Sequence, residues 1–278
     1  MSGELVYVYG VAAAGPGLVE TVPALRGVGG EGVRVVEDSG LAAVVGPVAA
    51  ADFEQAPLAA HLEDLAWLEA VARAHHEVVD AVAAAGPVLP LRLATVYRDE
   101  DAVRALLADG RAVFAPRLDK LAGQVEWGVK VHLAPTTPTT PAAPPAGEPA
   151  RAAGPGTAGA GRAYLRARGH ERRSREGAYR EAAAAVAEVR AAAAAYATEQ
   201  VRHRVQQGAL AGGGPENVAN DAFLVPSDSC AAFLTAVRRA AESLPAVRVE
   251  ITGPWAPYSF AALDDAVPAP GGGAAAGP

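Results

Sequence analysis

His75, His76, Glu77 and Asp80 form the densest run of side chains in this sequence that could do chemistry. His76 and Asp80, four residues apart, share a helix face, where they can hydrogen-bond or offer two ligands to a metal ion. A metal site needs a third ligand, and no H-E-x-x-H spacing supplies one. His75 falls on the apolar stripe of the same segment and reads as a core residue with its hydrogen bond made inside the protein. Cys230 stands in the first turn of a predicted helix, a position that suits a nucleophile, yet no base can be paired with it from the sequence. Ser227 and Ser229 lack the strand-turn-helix setting of a nucleophile elbow. No catalytic residue, cofactor or metal is therefore expected, and an enzyme using His76, Asp80 or Cys230 is the minor reading.

Two further patterns are weaker. Gly154-Pro-Gly156-Thr-Ala-Gly159 matches G-x-G-x-x-G in letters only. A dinucleotide loop must follow a strand so that its amides and the next helix face the pyrophosphate, and none immediately precedes this one. Arg166, Arg168, Arg172, Arg173 and Arg175 could attract an acidic partner, but with Glu171 and Glu176 among them a solvated helix face is the expectation.

The elements that must position these residues follow from periodicity. Leu5–Val11 reads as a strand, and Val33–Glu37 with Leu41–Val45 as a hairpin turned at Asp38-Ser39-Gly40 and ended by Gly46-Pro47. Leu58, Leu62, Leu65, Leu68, Val71, His75, Val78 and Val82 make one face of a single amphipathic helix from about Pro57 to Ala85. Val88–Tyr97 is extended, with Pro90 suited to a sheet edge. Two short helices, Glu100–Ala108 and Ala112–Ala122, lead to a strand over Val125–Leu133. That strand places Val125, Trp127, Val129, Val131 and Leu133 on one face and Glu126, Lys130 and His132 on the other. From Ala134 to Gly161 the chain turns to Pro, Thr, Ala and Gly, and a mobile linker is predicted. A helix of up to 162–208 follows, then a strand over Val218–Val225, a helix with Ser227 as N-cap, and a last strand, Val247–Thr252, stopped by Pro254 and Pro257.

The fold class this predicts is α+β in two domains. Residues 1–123 form an N-terminal α+β domain. Residues 124–267 form a C-terminal ferredoxin-like domain with a long helix and a disordered 134–161 insertion, and 268–278 are a disordered tail. A net charge of −7 argues against nucleic-acid binding. The start lacks a signal peptide's basic region, no apolar run is long enough to span a membrane, and the single Cys230 excludes an internal disulfide. A cytoplasmic protein is expected.

Thr252-Gly-Pro-Trp-Ala-Pro-Tyr-Ser-Phe260 packs three aromatics into nine positions of a chain that is only 5% aromatic, so it reads as a rigid turn serving either as a lid on a core or as a docking platform. Together with His76–Asp80, Val88–Tyr97, Val125–Val131 and Asn220–Val225, it resembles the gas vesicle GvpL/GvpF family over about Leu5 to Phe260. Leu93-Ala94 and Tyr97 stand where that resemblance implies Phe-Gly and Phe. The resemblance implies two α+β domains, the second a modified ferredoxin fold. It also implies an accessory protein of gas vesicles that takes part in assembly by contacting the hydrophobic shell protein and other accessory proteins at the gas-facing side of the shell. A minor structural component of the shell is the alternative. Arg92, Trp127, Lys130, Trp255, Tyr258 and Phe260 are then the structural or partner-binding candidates. Trp255, Tyr258 and Phe260 are expected to seal the core of the second domain, with direct shell contact as the other reading. Self-association through the 162–208 helix is also open.

Overall fold

The structure, a computed structural model, describes residues 3–134, 157–205 and 215–261. The chain is mixed α+β with two antiparallel sheets. It divides into two compact units, one of residues 1–127, 224–229 and 252 onward, the other of residues 128–223 and 230–251.

The first unit is organised around strand β1 (Glu4–Ala13). A short helix α1 (Pro16–Thr21) leads to the hairpin of β2 (Arg34–Asp38) and β3 (Leu41–Ala49). Its two-residue turn puts Ser39 and Gly40 at φ of 53° and 78°, the left-handed pair whose twist matches a hairpin. The expected stop at Gly46-Pro47 does not occur. β2 pairs only as far as Val45, so Pro47 lies beyond it and its missing N–H breaks no bond to β2.

The predicted single helix over Pro57–Ala85 is in fact broken. After α2 (Ala50–Phe53), α3 spans Gln55–His61 and α4 spans Leu65–Ala85. Asp64 caps α4, its carboxylate accepting from the N–H groups of Ala66 and Trp67 at 2.9 and 3.2 Å. Leu62 and Leu65 fall at the break and are exposed. β4 (Val88–Pro90) and β5 (Val96–Tyr97) both pair with β1, giving the order β2-β3-β1-β4 with β5 also on β1. Pro90 thus takes an edge strand as expected. The turn between them holds Ala94 at φ 60°.

The two short helices expected after Asp99 are one, α5 (Glu100–Leu121). Gly110 lies inside it, where a Cβ would stand 2.2 Å from the Phe114 ring. β1 alternates between the two layers: Tyr7 and Tyr9 join a core with Val71, Val78 and Val82 of α4, while Val6 and Val8 join another with Val103, Leu107 and Phe114 of α5.

In the remaining elements, β6 (Gln124–Leu133) precedes α6 (Thr157–Ala194), a helix of about 57 Å at 1.5 Å per residue. The linker expected over 134–161 is helical from Thr157, and its stretch 135–156 lies outside the described residues, as do the expected tail and the Gly-Gly-Gly run at 212–214. The helix expected to reach 208 stops at Ala194. Glu199–Arg202 is strand β7, followed by β8 (Asn217–Pro226), α7 (Cys230–Glu242) and β9 (Val247–Trp255). Ser227 is no N-cap at Cys230; it lies in a 3-10 turn over Ser227–Ser229. β9 runs through Pro254 rather than stopping there. The second sheet has the order β7-β8-β6-β9. Ala182, Ala185, Val186, Val189 and Ala193 are the buried face of α6. Arg190 on that helix forks onto the buried Asp221 of β8 at 2.9 and 3.1 Å, with Gln200 of β7 on the same carboxylate at 3.2 Å.

Candidate functional site

The chemistry-bearing residues of α4 meet the aromatic C-terminal motif within the first unit. α4 sets His75 inward and His76 one residue, or about 100°, further round, so the two histidines have opposite fates. His75 is buried, and its Nδ1 is 3.0 Å from the Tyr7 hydroxyl, which accepts the Ala94 N–H at 3.0 Å. The Tyr7 hydroxyl thus joins the Ala94 N–H to the His75 ring. Nε2 of His75 has no hydrogen-bond partner among the described residues. Burial, then the neighbouring His76, push the His75 pKa down from 6.5 to about 4, against a smaller opposing contribution from the Leu91 backbone. His75 is thus a neutral core residue, as the sequence indicated.

His76 is two-fifths exposed and engaged at both nitrogens. Nε2 lies 3.2 Å from Asp80 Oδ2, the i,i+4 pairing the sequence suggested, and Nδ1 lies 3.3 Å from the Tyr258 hydroxyl. The Tyr258 ring stacks on the imidazole at 5.5 Å and 21°, and Trp255 flanks it at 5.4 Å. Burial first, then Asp80, Tyr7 and Glu126, raise the Tyr258 pKa above its usual value. The phenol at the end of this Asp80–His76–Tyr258 chain therefore stays protonated and is not a nucleophile. No group of three or more metal-ligating side chains forms among the described residues.

The motif is held by contacts the sequence did not reveal. Glu126 was expected on the polar face of β6, yet it is 8% exposed, and its carboxylate accepts the Ser259 N–H at 2.8 Å and the Ser259 Oγ–H at 2.6 Å. Gly253, at φ 127°, lies so close to β6 that a Cβ would stand 2.8 Å from the Glu126 carbonyl and 3.1 Å from the Trp127 ring. The one available signal was the position of Ser259 inside the motif, and nothing in the sequence connects it to Glu126.

The candidates separate accordingly. Trp127 is buried against Gly253. Tyr258 packs with the α4-side core and Phe260 with the α5-side core. Both cores belong to the first unit, so the aromatics do not seal a core of the second domain as expected. Trp255 is 40% exposed and is not a core residue. Arg92 is exposed, and its carbonyl accepts the Thr95 N–H and Oγ–H, closing the turn that carries Ala94. Lys130 is half-buried and belongs to the second unit, as does Cys230 at the start of α7. In that unit a cleft of about 360 Å3 opens beside α6, but its polar lining is already engaged: Tyr179 donates to Glu216 at 2.6 Å, and Arg190 holds Asp221.

Comparison with known proteins gives a consistent answer. Residues 5–262 match the family described as gas vesicle synthesis protein GvpL/GvpF. The chain is 43% identical over 260 residues to gas vesicle protein L of Streptomyces sp. (strain CB03234), covering 94% of each protein. It is 31% identical to gas vesicle protein F of the same strain, covering 91% of this chain and 98% of that one. Its fold matches the crystal structure of the gas vesicle protein GvpF from Anabaena sp. PCC7120 with a TM-score of 0.63 at 18% identity, covering 94% and 98% of the two chains. GvpF from Microcystis aeruginosa matches with a TM-score of 0.61, covering 93% and 99%.

Proposed function

The chain belongs to the gas vesicle synthesis protein GvpL/GvpF family, and from that premise we propose that it is an assembly factor that binds the hydrophobic vesicle shell protein and other accessory proteins. It works in the cytoplasm and comes to lie at the gas-facing side of the shell. The relatives are named as gas vesicle proteins, none as an enzyme. We read residues 1–123 as an α+β domain and 124–267 as a ferredoxin-like one. Support for the latter is the chain order β6-α6-β7-β8-α7-β9 with β6 between β8 and β9, the arrangement of a β-α-β-β-α-β unit.

The observation that carries the binding role is the placement of Trp255. It is 40% exposed on a frame fixed by the Glu126–Ser259 hydrogen bonds and the His76–Tyr258 stack. A large apolar ring held rigidly at the surface is a preferred anchor for a partner, because little conformational freedom is lost when it is covered. A shell subunit exposes apolar surface and strand edges before it joins the wall, a combination that aggregates unless something covers it.

The test is co-expression of the shell protein with the wild-type chain, with Trp255→Ala, or alone. The expected result is a soluble shell protein only with the wild type, while Trp255→Ala stays folded, losing about 1–2 kcal/mol because the side chain is only partly buried. Equal solubility in all three overturns the assembly role. Retention of the chain in washed, intact vesicles together with equal solubility would favour a minor structural component.

A further inference from the structure

The buried stripe of α6 does not end where its packing ends. Ala182, Val186, Val189 and Ala193 step by three and four residues and are buried. At the same spacing the stripe continues toward the N-terminus through Tyr179, Arg175, Arg172 and Arg168. One face of one helix thus changes from small and apolar to arginine and tyrosine, and there it is exposed: Arg172 and Arg175 face solvent, and Tyr179 is 37% exposed. From 157 to 181 seven arginines stand against three glutamates, in a chain of net charge −7.

The opposite sign collects in the first unit. No Lys or Arg occurs from Val35 to Ala72, and Asp52, Glu54, Glu63, Asp64 and Glu69 are all exposed around the break between α3 and α4. Leu62 and Leu65 sit among them, 45% and 79% exposed. An apolar pair bordered by carboxylates is complementary to a basic helix face that carries a tyrosine.

We propose that the Arg172–Tyr179 stretch of α6 docks on the α3–α4 corner of a second copy of this chain, with Arg172 and Arg175 against the carboxylates and Tyr179 over Leu62 and Leu65. Acidic molecules repel their own copies through net charge, so a homotypic contact has to bring together local patches of opposite sign, and this chain carries both. A nucleic acid would meet the arginines but leave the leucines uncovered, and the acidic first unit would repel it. In the two-fold dimer proposed, each copy gives its α6 face and receives the other's on its α3–α4 corner. This inference is independent of the shell-binding role.

Sedimentation velocity on the full chain tests it. The expected result is a dimer at ~0.05 M salt whose dissociation constant weakens by about tenfold or more at ~0.5 M. Arg172→Glu with Arg175→Glu makes one variant, and Glu54→Lys with Glu63→Lys another. Each is expected to be monomeric alone, and an equimolar mixture of the two to dimerise, since both reciprocal contacts then regain opposite signs. That restoration also shows that both variants are folded. A wild type that stays monomeric at low salt, a dimer indifferent to either reversal, or a mixture that stays monomeric overturns the proposal. The milder pair Arg172→Ala and Arg175→Ala must weaken association in the same direction, and failure to do so counts against it equally.

Discussion

Tyr258 lies on His76, their rings 5.5 Å apart and 21° from parallel, with the hydroxyl 3.3 Å from Nδ1. The pair joins the end of the described chain to the middle of α4. Tyr258→Phe keeps the stack and removes one hydrogen bond, so it should cost about 1 kcal/mol. Tyr258→Ala removes both and should cost about 2–3 kcal/mol. Urea denaturation measures both, and an unchanged slope would show that the native state stays compact.

Glu126 is the anchor for Ser259. Replacing it with Ala strands the Ser259 N–H in a part-buried place and should cost about 2–3 kcal/mol, whereas Glu126→Gln retains an acceptor and should cost less. Trp255 fluorescence should report a looser motif in the Ala variant, because Trp255 is held four residues away.

His75 makes stability depend on pH. Its folded pKa, about 4, lies below the ordinary 6.5, so between these values the unfolded chain binds the extra proton. This contribution is fully present above pH 6.5, falls as pH drops through that window, and levels off below about 4, for a total loss of about 3 kcal/mol. His75→Gln should flatten that part of the stability profile, read from urea midpoints across the window.

Ala94 is held at φ 60°. Glycine enters this region without the Cβ clash, which outweighs its greater loss of chain entropy, so Ala94→Gly should stabilise the protein by about 0.5–1 kcal/mol. Thermal unfolding checks the sign. The family resemblance implies glycine at this same position.

Local chemistry was legible in the sequence and competition between neighbours was not. The hairpin at Asp38-Ser39-Gly40 could be read because the turn residues themselves specify the backbone. The break between α3 and α4 could not, since Leu58, Leu62, Leu65 and Leu68 keep a helical period across it and only the Asp64 cap decides otherwise. β7 was hidden because Glu199–Arg202 becomes a strand by pairing with β8, not through a β-branched run of its own. At the site, the His76–Asp80 pair was legible from spacing within one helix. Its link to Tyr258 spans 182 positions, and that of Glu126 to Ser259 spans 133, distances over which periodicity carries no information.

Ala256 and Tyr258 fill the α4-side core, and Phe260 and Ala261 the α5-side core, of a unit that begins at the amino terminus. A ribosome delivers the amino-terminal part first, so both layers wait, with apolar surface unsealed, until the last quarter of the chain has been made. A chain cut shortly before residue 256 leaves a first unit with both layers open.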